Sequence, residues 1–298
     1  MFQVAIEQYE VAPERPLCYV DGQRLNIDSM DSAIRASIER ARKGIGFTFF
    51  TLNLDHLCKR RKNQQFRDCY DRATFISADG TPIVWLARSV RAPISRTTGA
   101  DLVQPMVAEA AKNGIPVYFF GTSDSVIAKT IEKLRAVFPT LVVAGHESPP
   151  MGFDPLSEAA SEAADRIAAS GTGLCFVALG APKQELFADM AFDRCNKVGY
   201  LCVGAALDFI AGHQRRAPEF MSRNGLEWLW RLIKNPVRLF TRYVDSALML
   251  IWLSLPWQFE LVLNARRPQL DQARSRVSFM ERVPLAQRAP IVKRTNKL

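Results

Sequence analysis

The feature that most constrains the fold is a rhythm. Short apolar runs of strand length, GFTFF (46–50), ATFISA (73–78), PVYFFG (116–121), TLVVAG (140–145), GLCFVALG (173–180) and GYLCVGAAL (199–207), alternate with amphipathic stretches at about 100–113, 123–137, 156–170 and 182–194. NLDHLCKRRK reads as a helix after the first run, and another helix begins near Gly80. Strand, helix, strand at this spacing predicts an α/β fold with a largely parallel sheet covered by helices on both faces. In such a sheet ligands gather beyond the carboxyl ends of the strands, so the residues just after each run are where chemistry is sought. Before the rhythm begins, PLCYVDGQRLNI places two apolar stretches around Asp21-Gly22 and predicts a β-hairpin capping one edge. Asp28 then precedes DSAIRASIERAR, a helix ending at Lys43-Gly44.

Beyond Gly212 the rhythm stops. The chain becomes rich in Trp and Arg, with a helix break near Asn235-Pro236. The expected organisation is a catalytic core over 1–212, a helical appendage over 213–264 and a basic, flexible tail over 265–298. Charge divides in the same place. The formal charge is +9, and from Ala211 to Leu298 there are 16 Lys and Arg against 6 Asp and Glu. A basic C-terminal third points to an anionic partner: nucleic acid, phospholipid head groups or a phosphorylated ligand. No recognised nucleic-acid module accompanies it, so nucleic acid is not expected. The opening MFQVAIEQYEVAPERP is mixed and acidic, which gives no secretory signal and an expected cytoplasmic location. The six cysteines contain no CxxC pair and read as reduced core thiols; with three scattered histidines, no metal site is expected.

Four post-strand segments carry polar groups. Thr51-Leu52-Asn53 follows the first run and supplies a hydroxyl and an amide for a ligand or a helix cap. Asp79-Gly80-Thr81-Pro82 places a carboxylate on a Gly-containing turn at the start of a helix, as a functional group or equally as a cap. Gly180-Ala181-Pro182-Lys183-Gln184-Glu185 opens a helix whose free N–H groups suit a phosphate, with Lys183, Gln184 and Glu185 adding side-chain groups. Gly204 to Asp208 follows the last run. Neither GxGxxG nor GxxxxGK[ST] occurs, which argues against dinucleotide dehydrogenases and P-loop enzymes.

In the appendage Arg231, Lys234, Arg238 and Arg242 fall at helical spacing with no acid within the stripe, opposite Trp228, Leu232, Leu239 and Tyr243. The apolar part of the stretch that follows, from Ala247, is only about ten residues, well short of the roughly 20 that span a bilayer. Trp252 and Trp257 beside basic flanks suit an interfacial position, with core packing or oligomer contact as the alternative.

Taken in order, TLN, ADG, PVYFFG, GAPKQE, GAALDF with its downstream RAP, and GLEWLWRL resemble the WecB/TagA/CpsF family of bacterial glycosyltransferases, from about Asp21 to Tyr243. The resemblance implies a Rossmann-like core whose appendage completes the active site and meets the inner face of the cytoplasmic membrane peripherally. It implies inverting transfer, without metal or cofactor, from a UDP-sugar to a polyprenyl-diphosphate-linked glycan acceptor for cell-surface polysaccharide. Family roles fall on Asp79 as general base, on Thr51 and Gln184 near the donor, and on Arg231, Arg238 and Arg242. The expected donor-binding set also includes Asn53, Gly180, Lys183, Glu185 and Asp208. Ser77-Ala78 stands before Asp79-Gly80 where many relatives carry proline. Self-association is a further expectation from the apolar appendage.

Overall fold

The computed structural model describes residues 16–214, 217–218, 220–221, 227–234 and 236–255. The side chains of 227, 231 and 238 lie outside the described residues, as do the expected tail and Trp257.

The expected hairpin consists of β1 (Cys18–Val20) and β2 (Gln23–Leu25). Asp21 and Gly22 both take positive φ, 51° and 68°, the two-residue turn whose twist matches paired strands. After it, Asn26 Nδ2 donates to the Thr74 carbonyl and Asn26 Oδ1 accepts from the Ile76 N–H, so the hairpin seals the outer edge of the strand holding Ile76. Helix α1 (Met30–Arg42) starts at a capping box in which Ser29 and Ser32 satisfy one another's backbone N–H groups.

The main sheet comprises β3 (Phe47–Leu52), β4 (Phe75–Ala78), β5 (Val117–Gly121), β6 (Val143–Glu147), β7 (Leu174–Ala178) and β8 (Gly199–Cys202). Its six strands are all parallel and lie in the order β4-β3-β8-β7-β5-β6. Strand β6 sits three residues further along than the expected run, and the last run ends early because its final residues turn into a helix. Helices α2 (Leu54–Lys62), α3 (Gln64–Arg72), α4 (Thr81–Ser89), α5 (Gly99–Lys112), α6 (Asp124–Val137), α7 (Glu158–Ala169), α8 (Lys183–Arg194) and α9 (Ala206–Ala211) complete the core.

Alternation along the strands assigns the two faces. Phe47 and Phe49 join a cluster with α1, α5, α6 and α9, whereas Phe50 and Leu52 join one with α2, α3, α7 and α8. Helices leaving neighbouring strands β3, β8, β7 and β5 therefore depart to alternate faces. Each such reversal opens a crevice at the carboxyl edge. Cys18, Cys69, Cys175 and Cys202 are buried and free.

The appendage is helical, with α10 (Glu227–Lys234) and α11 (Pro236–Leu253) meeting at the break near Pro236. Helix α11 docks on α2, burying Met249 and Leu253. Trp252 is half-buried against the core, with the Arg61 guanidinium 3.9 Å above its ring, an arrangement that accords with the core-packing alternative. The outward face is apolar: Val237 is 94% exposed, Phe240 61%, Leu248 61% and Ile251 62%, with Val244 between them. Among the described residues no helix is long and apolar enough to cross a membrane.

Candidate functional site

The carboxyl edge of the sheet collects every core segment expected to carry chemistry. At the β4 end the Asp79 N–H donates to the Leu52 carbonyl at 2.8 Å, which ties the Asp79 turn to the Thr51 segment beside it. Asp79 itself is half-buried. It does not cap α4; that N-cap is Gly80, with φ 93° and no side-chain hydrogen bond.

Asn53, by contrast, is a cap. Its Oδ1 accepts from the His56 N–H at 2.9 Å at the start of α2. Thr51 is buried, and its carbonyl accepts from the Tyr70 hydroxyl at 2.8 Å, with His56 Nδ1 also 2.8 Å away. Burial pushes the His56 imidazole down to about 4, so this ring is neutral at physiological pH and serves as a fixed dipole beneath Thr51.

Across the sheet, Gln184 is only 4% exposed and its amide is fully oriented. Oε1 accepts from the Gly180 N–H at 3.2 Å and the Gly204 N–H at 3.0 Å, bracing the turns after β7 and β8 against each other, while Nε2 donates to Glu185 Oε1 at 2.8 Å. Glu185 has no exposed surface, so the structure does not bring it to the cleft with the other expected donor residues. Lys183 is exposed, and its Nζ donates to the Phe153 carbonyl at 2.8 Å, anchoring the loop that precedes α7. Asp208, on α9, accepts from the Thr122 hydroxyl at 3.3 Å.

Thr122 escaped the sequence reading. It follows β5 with φ 43°, a conformation that costs a β-branched residue. Three bonds hold it there: its N–H donates to the Ala178 carbonyl at 3.0 Å, its carbonyl accepts from Ser148 Oγ at 2.6 Å, and its hydroxyl meets Asp208. Just before it, a Cβ on Gly121 would stand 2.5 Å from the Ala178 oxygen, so only glycine lets β5 and β7 approach this closely. A hollow of about 230 Å³ lined by Ser125, Lys129 and His213, among others, lies at the end of α9 beside Ala211 and Gly212.

Four helix starts at this edge lack a side-chain cap. Helices α4, α6, α8 and α9, which directly follow β4, β5, β7 and β8, have no side-chain N-cap hydrogen bond. At the same edge α2 and α5 are capped by Asn53 and Thr98, and α1, α3 and α7 are capped by Ser29, Asn63 and Ser157. Uncapped helix N-termini carry unsatisfied N–H groups and positive potential, and converging on one edge they favour an anionic ligand.

The appendage arginines divide. Arg242 Nη2 pairs with Asp55 Oδ2 at 3.0 Å, and Lys59 shares that carboxylate at 2.5 Å. The stripe is therefore neutralised in part from α2, which sequence spacing within one helix could not reveal. Arg231 and Arg238 have side chains outside the described residues.

Residues 19–262 match the glycosyl transferase WecG/TagA/CpsF family. The chain belongs to that family and is a glycosyltransferase of cell-surface polysaccharide or teichoic acid synthesis.

Proposed function

We propose that this glycosyltransferase moves a sugar, with inversion, from a UDP-sugar to a polyprenyl-diphosphate-linked glycan acceptor, with Asp79 as general base. The observation that carries the reading is the set of uncapped helix starts at the carboxyl edge of the sheet. A nucleoside diphosphate is the class of ligand that such an edge suits. Adjacent strands are about 4.8 Å apart, so the end of β4, which Asp79 follows, lies three strand spacings, about 14 Å, from the end of β7, which leads into α8. Within that span a carboxylate can address the anomeric end of a donor while helix N-termini address its phosphates.

Asp79 accepts the proton of the acceptor hydroxyl as that oxygen attacks the anomeric carbon and the bond to the UDP oxygen breaks. One base and a direct displacement give inversion. Negative charge grows on the departing diphosphate, where backbone N–H groups at the helix starts, with Arg231 and Arg238 from the appendage, stabilise it. Arg242, through its pair with Asp55, also holds α11 against α2. The outward stripe of Val237, Phe240, Val244, Leu248 and Ile251 supports peripheral contact with the membrane that carries the acceptor.

The test is a panel of UDP-sugars incubated with membrane extract containing lipid-linked acceptors, read as UDP release. Acceptor-dependent release from one UDP-sugar is expected. Turnover of a GDP- or dTDP-sugar with none of the UDP-sugars would refute the donor class.

A further inference from the structure

The bracket between the glycine turns depends on a residue that no ligand can touch. Gly180 and Gly204 both lie in the left-handed region, at φ 76° and 58°, and both direct their N–H groups to the same oxygen of Gln184. A carboxamide can occupy its site in two orientations that differ only by exchange of oxygen and nitrogen. Flipped, Gln184 would set its NH₂ group against two N–H donors and its oxygen against the Glu185 carboxylate.

We infer that Glu185 is a positioning residue: its carboxylate holds the Gln184 amide in the orientation that turns the oxygen onto Gly180 and Gly204, and so sets the shape of both turns at the carboxyl edge. The geometry is complete on one side and open on the other. Glu185 Oε1 takes the Gln184 Nε2–H at 2.8 Å, while Oε2 is buried with no hydrogen-bond partner. A proton therefore has a vacant oxygen to occupy without breaking the bracket, and it removes the charge that strengthens the bond to Gln184.

Burial pushes this carboxyl up to about 7, so both forms are populated near neutral pH. The ionisable groups whose charge bears on it come from each packed element. On α2, Lys59 favours its ionised form and Asp55 opposes it, and these two are paired with each other. On α3 and β8, Cys69, Tyr70 and Cys202 are all pushed upward by burial and stay neutral. Above the transition the ionised carboxylate grips the amide; below it the turns loosen. The consequence for ligand affinity rests on the donor reading above, whereas the bracket itself does not.

The experiment is a pH titration from 5.5 to 8.5 of full-length protein carrying ¹⁵N-glycine, with Gly180 assigned by dual labelling of its Leu179-Gly180 pair and Gly204 by dual labelling of Val-Gly pairs, the Val198-Gly199 signal being identified by its loss in Val198→Ile. In the wild type both resonances are expected to move with one common midpoint, and in Glu185→Gln neither titrates. UDP is the binding probe: Glu185→Gln should bind it about fivefold more weakly than wild type at pH 8 and equally at pH 6. Wild-type glycine resonances that ignore pH, or a Gln variant that titrates with the same midpoint, would overturn the inference. Because the wild-type titration stands alone, a variant that fails to fold does not rescue it. Titrating glycines in a protein that binds no UDP would uphold the bracket and reject the donor reading.

Discussion

Arg242, on α11, reaches 3.0 Å to Asp55, two residues beyond the Asn53 cap that starts α2 at the edge of the site. The appendage is thereby fixed to the helix that leaves the Thr51 strand. Arg242 is partly exposed and Asp55 also serves Lys59, so the pair is expected to contribute only about 0.5–1 kcal/mol. A double-mutant cycle with Asp55→Asn and Arg242→Met should show that coupling. Amide exchange in α11 should speed up in both single variants. Additive effects with unchanged exchange would show that the apolar contacts of Met249 and Leu253 do the docking alone.

Thr122 holds an unfavourable backbone conformation through its bonds to Ala178, Ser148 and Asp208. Thr122→Gly removes the strain along with the hydroxyl, and its thermal stability should stay within about 1 kcal/mol of wild type. Thr122→Val keeps the strain and loses the bond to Asp208, and should cost about 1 kcal/mol or more. A valine variant as stable as the glycine variant would show that the Thr122 conformation is not strained.

Glu185 makes stability depend on pH in a direction that can be worked out. Its carboxyl titrates about 7 in the folded protein against 4.5 for the ordinary group, so the folded state holds this proton the more tightly. Its contribution is complete below pH 4.5 and is lost as pH rises through about 7, by about 3 kcal/mol at most. Glu185→Gln, which resembles the protonated form, should therefore be more stable than wild type at pH 8 and close to it at pH 5. Denaturant unfolding at the two pH values decides this, and a Gln variant less stable at pH 8 would contradict it.

Phe240 and Leu248 stand outward on α11 and touch the core little. The double variant Phe240→Ser, Leu248→Ser should unfold within about 0.5 kcal/mol of wild type. Its partition onto anionic phospholipid vesicles should fall by about tenfold or more. Undiminished vesicle binding would move the membrane contact elsewhere in the chain.

The fold was legible because buried parallel strands are written as short apolar runs, and PVYFFG and GLCFVALG match β5 and β7 nearly residue for residue. The second helix of the β3–β4 crossover, Gln64–Arg72, was not read, since QQFRDCYDR buries Phe66, Cys69 and Tyr70 within a mostly polar segment. Within the site, positions after strands were legible but directions were not. GAPKQE marks a helix start, yet nothing in its spelling says that Gln184 turns inward to two glycines and Glu185 away from the cleft. Thr122 sits where the rule of strand ends points, in Gly-Thr-Ser-Asp. A threonine there gives no hint of positive φ, because three tertiary bonds override its own preference. Trp252 and Arg242 have the character for a membrane or an anion and also find partners on α2, a tertiary contact that periodicity within one helix does not record.

Asp79 carries the central claim, and the most direct measurement is a single comparison on Asp79→Asn, with UDP binding and sugar transfer to lipid-linked acceptor read on the same preparation. The amide keeps the size of the side chain and the backbone bond to Leu52 but cannot take the acceptor's proton. Unchanged thermal stability, UDP affinity within about twofold of wild type and a transfer rate lower by about 100-fold or more are expected. Transfer at near wild-type rate would contradict the assignment of Asp79 as the base.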